Sequence, residues 1–134
     1  MKSSNSTRLT NSIVNKDLIH RLFELHPDGG RILFHESDSS RLHVMLINFP
    51  PNYRYPKHIH FQASEFYYVL KGSLVIDIFD DNYLIQKEIR LDENCGFLLN
   101  PGQIHATNSG EKGVSFLEIR NGPFDKNDSK ILQA

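Results

Sequence analysis

The stretch that decides the fold is His58-Ile59-His60-Phe61-Gln62-Ala63-Ser64-Glu65. Side chains alternate faces along a strand, so His58 and His60 point to one side, about 6.6 Å apart at ~3.3 Å per residue. Two imidazoles can converge there on one ion. Neutral imidazole and carboxylate both bind first-row divalent metals, with bonds of about 2.0–2.2 Å, so Glu65, across a short connection, supplies a third ligand. His105, after the turn at Pro101-Gly102, is the candidate for the fourth. Seven histidines in 134 residues make an isolated His-x-His pair ordinary. The weight therefore lies on the whole set of spacings.

On either side of this stretch the chain breaks into short runs rich in Val, Ile, Leu, Phe and Tyr, separated by turn residues. Strands are predicted near 31–35, 41–49, 57–61, 65–71, 73–79, 84–91, 96–100, 104–108 and 113–120. Turns fall at Ser37 to Ser40, Pro50 to Asn52, Lys71-Gly72, Asp80 to Asn82, Asp92 to Asn94, Pro101-Gly102 and Asn108 to Gly113. So many short strands cannot lie flat with their faces covered, which predicts an all-β sandwich or jelly-roll barrel. Upstream, a helix is expected over 15–26. Asn15 is a good N-cap, Val14 and Ile19 hold the staple positions, and Leu18, Leu22 and Leu25 recur with Ile19 and Phe23 on one face; Pro27 to Gly30 end it. Residues 1–12 read as a flexible tail and 121–134 as a surface wrap, leaving one domain over 13–134.

Composition narrows the function. The formal charge is -1, with acidic and basic residues mixed along the chain, so no basic face for nucleic acid is expected. No apolar run approaches the roughly 20 residues of a membrane helix, and Met1 to Ser12 lacks the hydrophobic segment of a signal peptide, so the expectation is a cytoplasmic protein. A lone cysteine, Cys95, fits a reducing compartment, and no histidine adjoins it to make it a nucleophile.

The spacings resemble the two motifs of the cupin superfamily. The first motif runs glycine, five residues, His-x-His, three or four residues, Glu, six residues, Gly; here His58, His60, Glu65 and Gly72 match, and Asn52 stands at the opening glycine. Asn tolerates positive φ, so that turn survives. The second runs glycine, five residues, Pro-x-Gly, two residues, His, three residues, Asn. Gly102 and His105 match it, while Asn100 occupies the proline position beside Pro101 and Asn108 comes one residue early. From Arg31 to Lys130 the chain is similar to the WbuC family, small cupin metalloproteins of O-antigen and other surface-polysaccharide gene clusters. Arg31, His35, Arg41, Phe79-Asp80-Asp81 and the run from Glu118 to Asp125 carry that likeness. The resemblance implies a jelly-roll barrel and a bound divalent metal, whether Zn, Fe, Mn or Ni; it implies no particular reaction.

Around the metal, strand parity turns Tyr67 inward with Glu65, and Tyr53 and Tyr55 lead into the histidines, which makes all three tyrosines candidates to touch substrate. Arg31, His35 and Arg41 are candidates to hold an anionic substrate, because arginine presents a planar fork suited to carboxylate or phosphate. Arg120 reads as solvated. Glu118 is either a buried partner to a ligand histidine or an exposed residue. Two functions stand open: a metalloenzyme (isomerase, lyase or dioxygenase type) acting on a small polar metabolite such as a sugar or nucleotide-sugar, or a module that binds or senses a small molecule without turnover. The outward face at Phe66, Tyr68 and Leu70 invites a homodimer, with a monomer capped by the helix as the competing picture.

Overall fold

The structure, a computed structural model, describes residues 5–10 and 12–132. In chain order it has β1 (Ser6–Arg8), α1 (Lys16–Leu25), β2 (Gly30–Leu33), β3 (Leu42–Phe49), β4 (Arg54–His60), β5 (Glu65–Phe79), β6 (Ile85–Leu91), β7 (Gly96–Leu99), β8 (Ile104–Asn121) and β9 (Ser129–Ile131). The strands form one sheet curled into a jelly-roll half-barrel, as the sequence pattern predicts. Its edge-to-edge path is β1-β2-β3-β8-β4-β9, and β5 pairs with β6, β7 and β8.

Curling comes from the two long strands. The first half of β5 pairs with β7 and with the second half of β8; its second half pairs with β6 and with the first half of β8. Irregularities at Val69/Lys71 and Gly72/Leu74 bend the ladder where the pairing changes. The sequence pattern predicts each long strand as two, 65–71 with 73–79 and 104–108 with 113–120. The turn residues Lys71-Gly72 and Asn108 to Gly113 mark real bends, but the backbone hydrogen bonds run through them.

Two apolar layers hold the sheet. Met45, Ile47, Phe49, Tyr67, Val69, Leu74, Ile76 and Phe116 fill the interior. On the outer face Leu18 and Leu22 of α1 pack on Ile32 and Leu46, with Leu70 and Leu117 against them. β3 is thus buried on both sides, which explains its almost unbroken run of apolar residues. Asn15 caps α1 by accepting from the Leu18 N–H at 3.0 Å, an interaction worth about 1 kcal/mol. The helix presents a narrower stripe than its periodicity suggested: Phe23 and Leu25 stay exposed, because α1 rests on the sheet through one turn-to-turn row.

Each of the two terminal segments carries a short strand, with residues 1–4, 11, 133 and 134 of the expected tail and wrap lying outside the described residues. Ser6–Arg8, read as part of a flexible tail, pair in parallel with Arg31, Ile32 and Leu33, since the edge of β2 offers unpaired backbone groups. The C-terminal wrap contains a strand: β9 lies antiparallel on β4, with His58, Ile59 and His60 opposite Ile131, Lys130 and Ser129.

Candidate metal centre

Three strands deliver four side chains to one point. β4 carries His58 and His60 with a register irregularity between Tyr55 and His58, β5 begins with Glu65, and β8 brings His105 directly opposite His58. All four are buried, and one donor atom from each lies within 4.8 Å of the others. His60 Nε2 stands 2.8 Å and His105 Nε2 3.6 Å from Glu65 Oε1. Tyr67 donates its hydroxyl to the other carboxylate oxygen, Glu65 Oε2, at 2.9 Å.

The protons are arranged to leave lone pairs facing inward. His58 Nδ1 donates to the Pro56 carbonyl at 2.8 Å and His105 Nδ1 to the Gln103 carbonyl at 2.9 Å. A carbonyl only accepts, so these nitrogens carry hydrogen, and the neutral tautomer this selects has its bare lone pair on Nε2. Burial, helped by the neighbouring His105, holds the His58 pKa down to about 4 and keeps that ring neutral. Burial pushes the Glu65 carboxyl up, but the close approach of His105 and His60 outweighs it, and the group sits well below the usual carboxylate range. Glu65 Oε1 is buried without a hydrogen-bond partner although the imidazoles surround it. A buried carboxylate oxygen left bare among inward lone pairs fits a divalent cation, the group that satisfies all of them at once.

Above these residues opens a cavity of about 280 Å³, whose floor includes His58, His60 and Glu65. Arg31, Tyr55, Tyr67, Glu118, Arg120 and Phe124 form much of its wall. Register explains the facing: Arg31 lies opposite the core residue Ile47, Glu118 opposite Tyr67, and Arg120 opposite Glu65. Arg120, expected in solvent, therefore turns into the cavity, and Glu118, which parity alone left open, does the same. Strand pairing carries that information; the local sequence does not. Burial first, then the Glu65 charge, raises the Glu118 pKa to about 8 against the opposing pull of Arg120 and Arg31. The same causes, burial and then the charges of Glu65 and Glu118, push the Tyr67 phenol well above its ordinary value.

Of the six residues proposed to hold substrate, Arg31, Tyr55 and Tyr67 line the cavity, and the other three do not. His35 stacks on His43, with ring centroids 3.9 Å apart, and its Nδ1 accepts from the Val44 N–H at 3.2 Å. Arg41 is exposed on the approach to β3, where its carbonyl accepts from the Gly122 N–H. Tyr53 packs its ring on Phe49, 4.8 Å between centroids, as part of the core. All three sit one or two residues outside the segments whose register aims side chains at the candidate metal ligands.

The motif departures have structural answers. Asn52, in place of the first glycine, has φ 55, and Asn94, at the opening position of the second motif, has φ 64. Ser109 stands at the second motif's asparagine position and holds the turn: it accepts from the Tyr53 N–H at 2.8 Å and donates to the Pro50 carbonyl at 2.6 Å. Asn108 faces the other way, bonded to Asp77 and Arg54.

A family model described as "Cupin domain" matches residues 45–120, and the chain belongs to that family. Among solved structures it resembles KdgF from Halomonas sp., with a TM-score of 0.60 and 15% identity over 75% of this chain and 84% of that one. It also resembles the capsular polysaccharide assembling protein CapF from Staphylococcus aureus, with a TM-score of 0.68 and 21% identity over 80% of this chain and 30% of that one. Oxalate decarboxylase from Bacillus subtilis gives 0.63 and 22% over 78% of this chain and 27% of that one. The chain thus spans under a third of the latter two proteins, and likenesses at these identities concern the fold. No curated protein matches this sequence.

Proposed function

We propose that this chain is a divalent-metal cupin of the WbuC type, acting as a metalloenzyme on a small anionic metabolite, such as a sugar acid or nucleotide-sugar intermediate of surface-polysaccharide synthesis. One observation carries the reading: the bare Glu65 Oε1 and inward imidazoles lie at the floor of a cavity whose wall holds Arg31 and Arg120. A metal held by His58, His60, Glu65 and His105 would supply Lewis-acid polarisation of a bound oxygen. The chain's own residues do the rest. Arg31 and Arg120 orient an anionic group by charge-assisted hydrogen bonds, Tyr67 fixes the Glu65 carboxylate, and Glu118 offers a carboxyl group facing the same space. The cavity is near the lower limit of ligand pockets, roughly 300 Å³, which suits a single small metabolite. The likeness to a capsular polysaccharide assembling protein supports the polysaccharide setting.

The test is metal analysis of purified protein beside His58→Ala and Glu65→Gln, followed by incubation of metal-loaded protein with sugar acids and nucleotide-sugars. Stoichiometric metal in the wild type, lost in both variants, and product formation are the expected results. Binding without product across all four metals would favour the sensing module instead. The same reading places the protein in the cytoplasm as a homodimer covering the half-exposed Phe66 and Tyr68, since α1 already covers Leu70. Light scattering after gel filtration checks the oligomeric state.

A further inference from the structure

The connection between His60 and Glu65 is four residues long, and each of its backbone N–H groups is held by the C-terminal segment. Phe61 donates to the Asp128 carbonyl at 2.8 Å. Gln62 donates to Asp128 Oδ1 at 2.8 Å, Ala63 to Asp128 Oδ2 at 3.2 Å, and Ser64 to Asn121 Oδ1 at 2.8 Å. Two successive N–H groups thus converge on one carboxylate, the arrangement that cradles an anion in a backbone nest. β9 continues the attachment by pairing with His58 to His60, and Leu132 donates to the Lys57 carbonyl at 2.8 Å. Phe124, Ser129 and Ile131 of the same segment line the cavity over the metal ligands. The strap itself, residues 121–132, lies beyond residues 45–120, the part that matches the cupin domain.

We infer that the C-terminal strap, residues 121–132, is a working part of the metal centre, with Asp128 and Asn121 as positioning residues that set the ligand geometry of His60 and Glu65. His60 ends β4 and Glu65 begins β5, so the angle between these two donors is decided by the path of Phe61 to Ser64. That path packs little apolar surface: Phe61 and Gln62 are exposed, and Ala63 and Ser64 are half-buried. Hydrogen bonds donated to the Asp128 carboxylate and carbonyl and to the Asn121 side-chain oxygen are therefore its principal restraint. Removing them frees the connection without touching a ligand. The inference rests on the metal reading proposed above and adds to it a residue set outside the matched domain.

The experiment uses the full chain with cobalt(II) as probe, comparing wild type, Asp128→Ala, Asp128→Asn and Asn121→Ala. Asp128→Ala should weaken cobalt affinity about tenfold or more, within the range for partners that orient ligands, and should change the visible d–d spectrum of the bound ion. Asp128→Asn, which keeps one acceptor oxygen, should recover part of both. In metal-free protein the amides of Gln62 and Ala63 should exchange hydrogen faster in Asp128→Ala, with a melting curve that remains cooperative. Wild-type binding with an unchanged affinity and spectrum in Asp128→Ala overturns the strap's role alone. Absence of cobalt binding by the wild type overturns the metal reading, and the strap inference with it. Equal amide exchange in wild type and variant shows that the strap does not hold the connection.

Discussion

His58 and His105 face each other across β4 and β8 as register partners, with ring centroids 4.1 Å apart, and each anchors its Nδ1 on the backbone carbonyl two residues before it. The repeated anchor fixes both tautomers before any ligand arrives. The two rings are thus equivalent in role, although His58 lines the cavity and His105 lies behind it, at 1% exposure.

Substituting His105 should therefore cost as much metal as substituting His58. His105→Ala is expected to lower metal affinity by more than the roughly 10–100-fold lost when only an orienting partner is removed. Competition against a chromogenic chelator measures it, and full retention of metal by His105→Ala would remove that residue from the ligand set.

The stacked pair His35 and His43 predicts an acid-side loss of stability. Burial lowers both pKa values, with the neighbouring His43 adding to the effect at His35 and Arg120 at His43. Since the folded values lie below that of the unfolded chain, near 6.5, the unfolded state takes up protons first and stability falls as pH drops below about 6.5. His58, held to about 4, acts in the same direction. In chelator-treated protein, denaturant unfolding from pH 7.5 down to 4.5 should be shallower in slope for His35→Phe than for wild type. Its absolute stability will be lower, because the Val44 N–H loses its acceptor. Parallel slopes would contradict the assignment.

Glu118 predicts the opposite behaviour on the alkaline side. Its folded pKa is raised to about 8, so between about 4.5 and 8 the folded metal-free protein holds a proton that the unfolded chain has released. The stability it contributes is complete below about 4.5 and is lost as pH rises through 8. Glu118→Gln should flatten the decline between about pH 5 and 8, as read by thermal melts in chelator; an unaltered decline would assign the slope elsewhere.

Helix α1 should be separable from the site. Leu22 has no exposed surface and packs on Ile32 and Leu46 on the outer face. Leu22→Ala should cost about 3 kcal/mol and lower the melting temperature by about 10 °C, with metal stoichiometry unchanged. Loss of metal at a temperature where the variant remains folded would show that the helix supports the centre.

Much of the site was legible before any fold was known. The ligand set is local in origin: His58, His60 and Glu65 lie within eight residues, and the parity of one strand aims two of them together. Asn52 at positive φ likewise follows from a single residue's backbone freedom. Arg120 and Glu118 show where such reading stops. Each alternates correctly along β8, but alternation names no inside until a partner strand is known, and that partner, β5, lies some fifty residues away. His35 and Arg41 lie outside the cavity for the converse reason, since they are near the right strands in sequence yet beyond the stretch whose pairing points inward.

The sequence by itself determined the strand texture, the barrel class and the four donors, because these depend on periodicity and on spacings of a few residues. Tertiary structure alone decided which arginines face the cavity, that α1 covers the outer sheet, and that residues 121–132 hold the link between His60 and Glu65. Those outcomes depend on register between segments far apart in the chain, and on backbone hydrogen bonds from Phe61 to Ser64 that carry no side-chain signature.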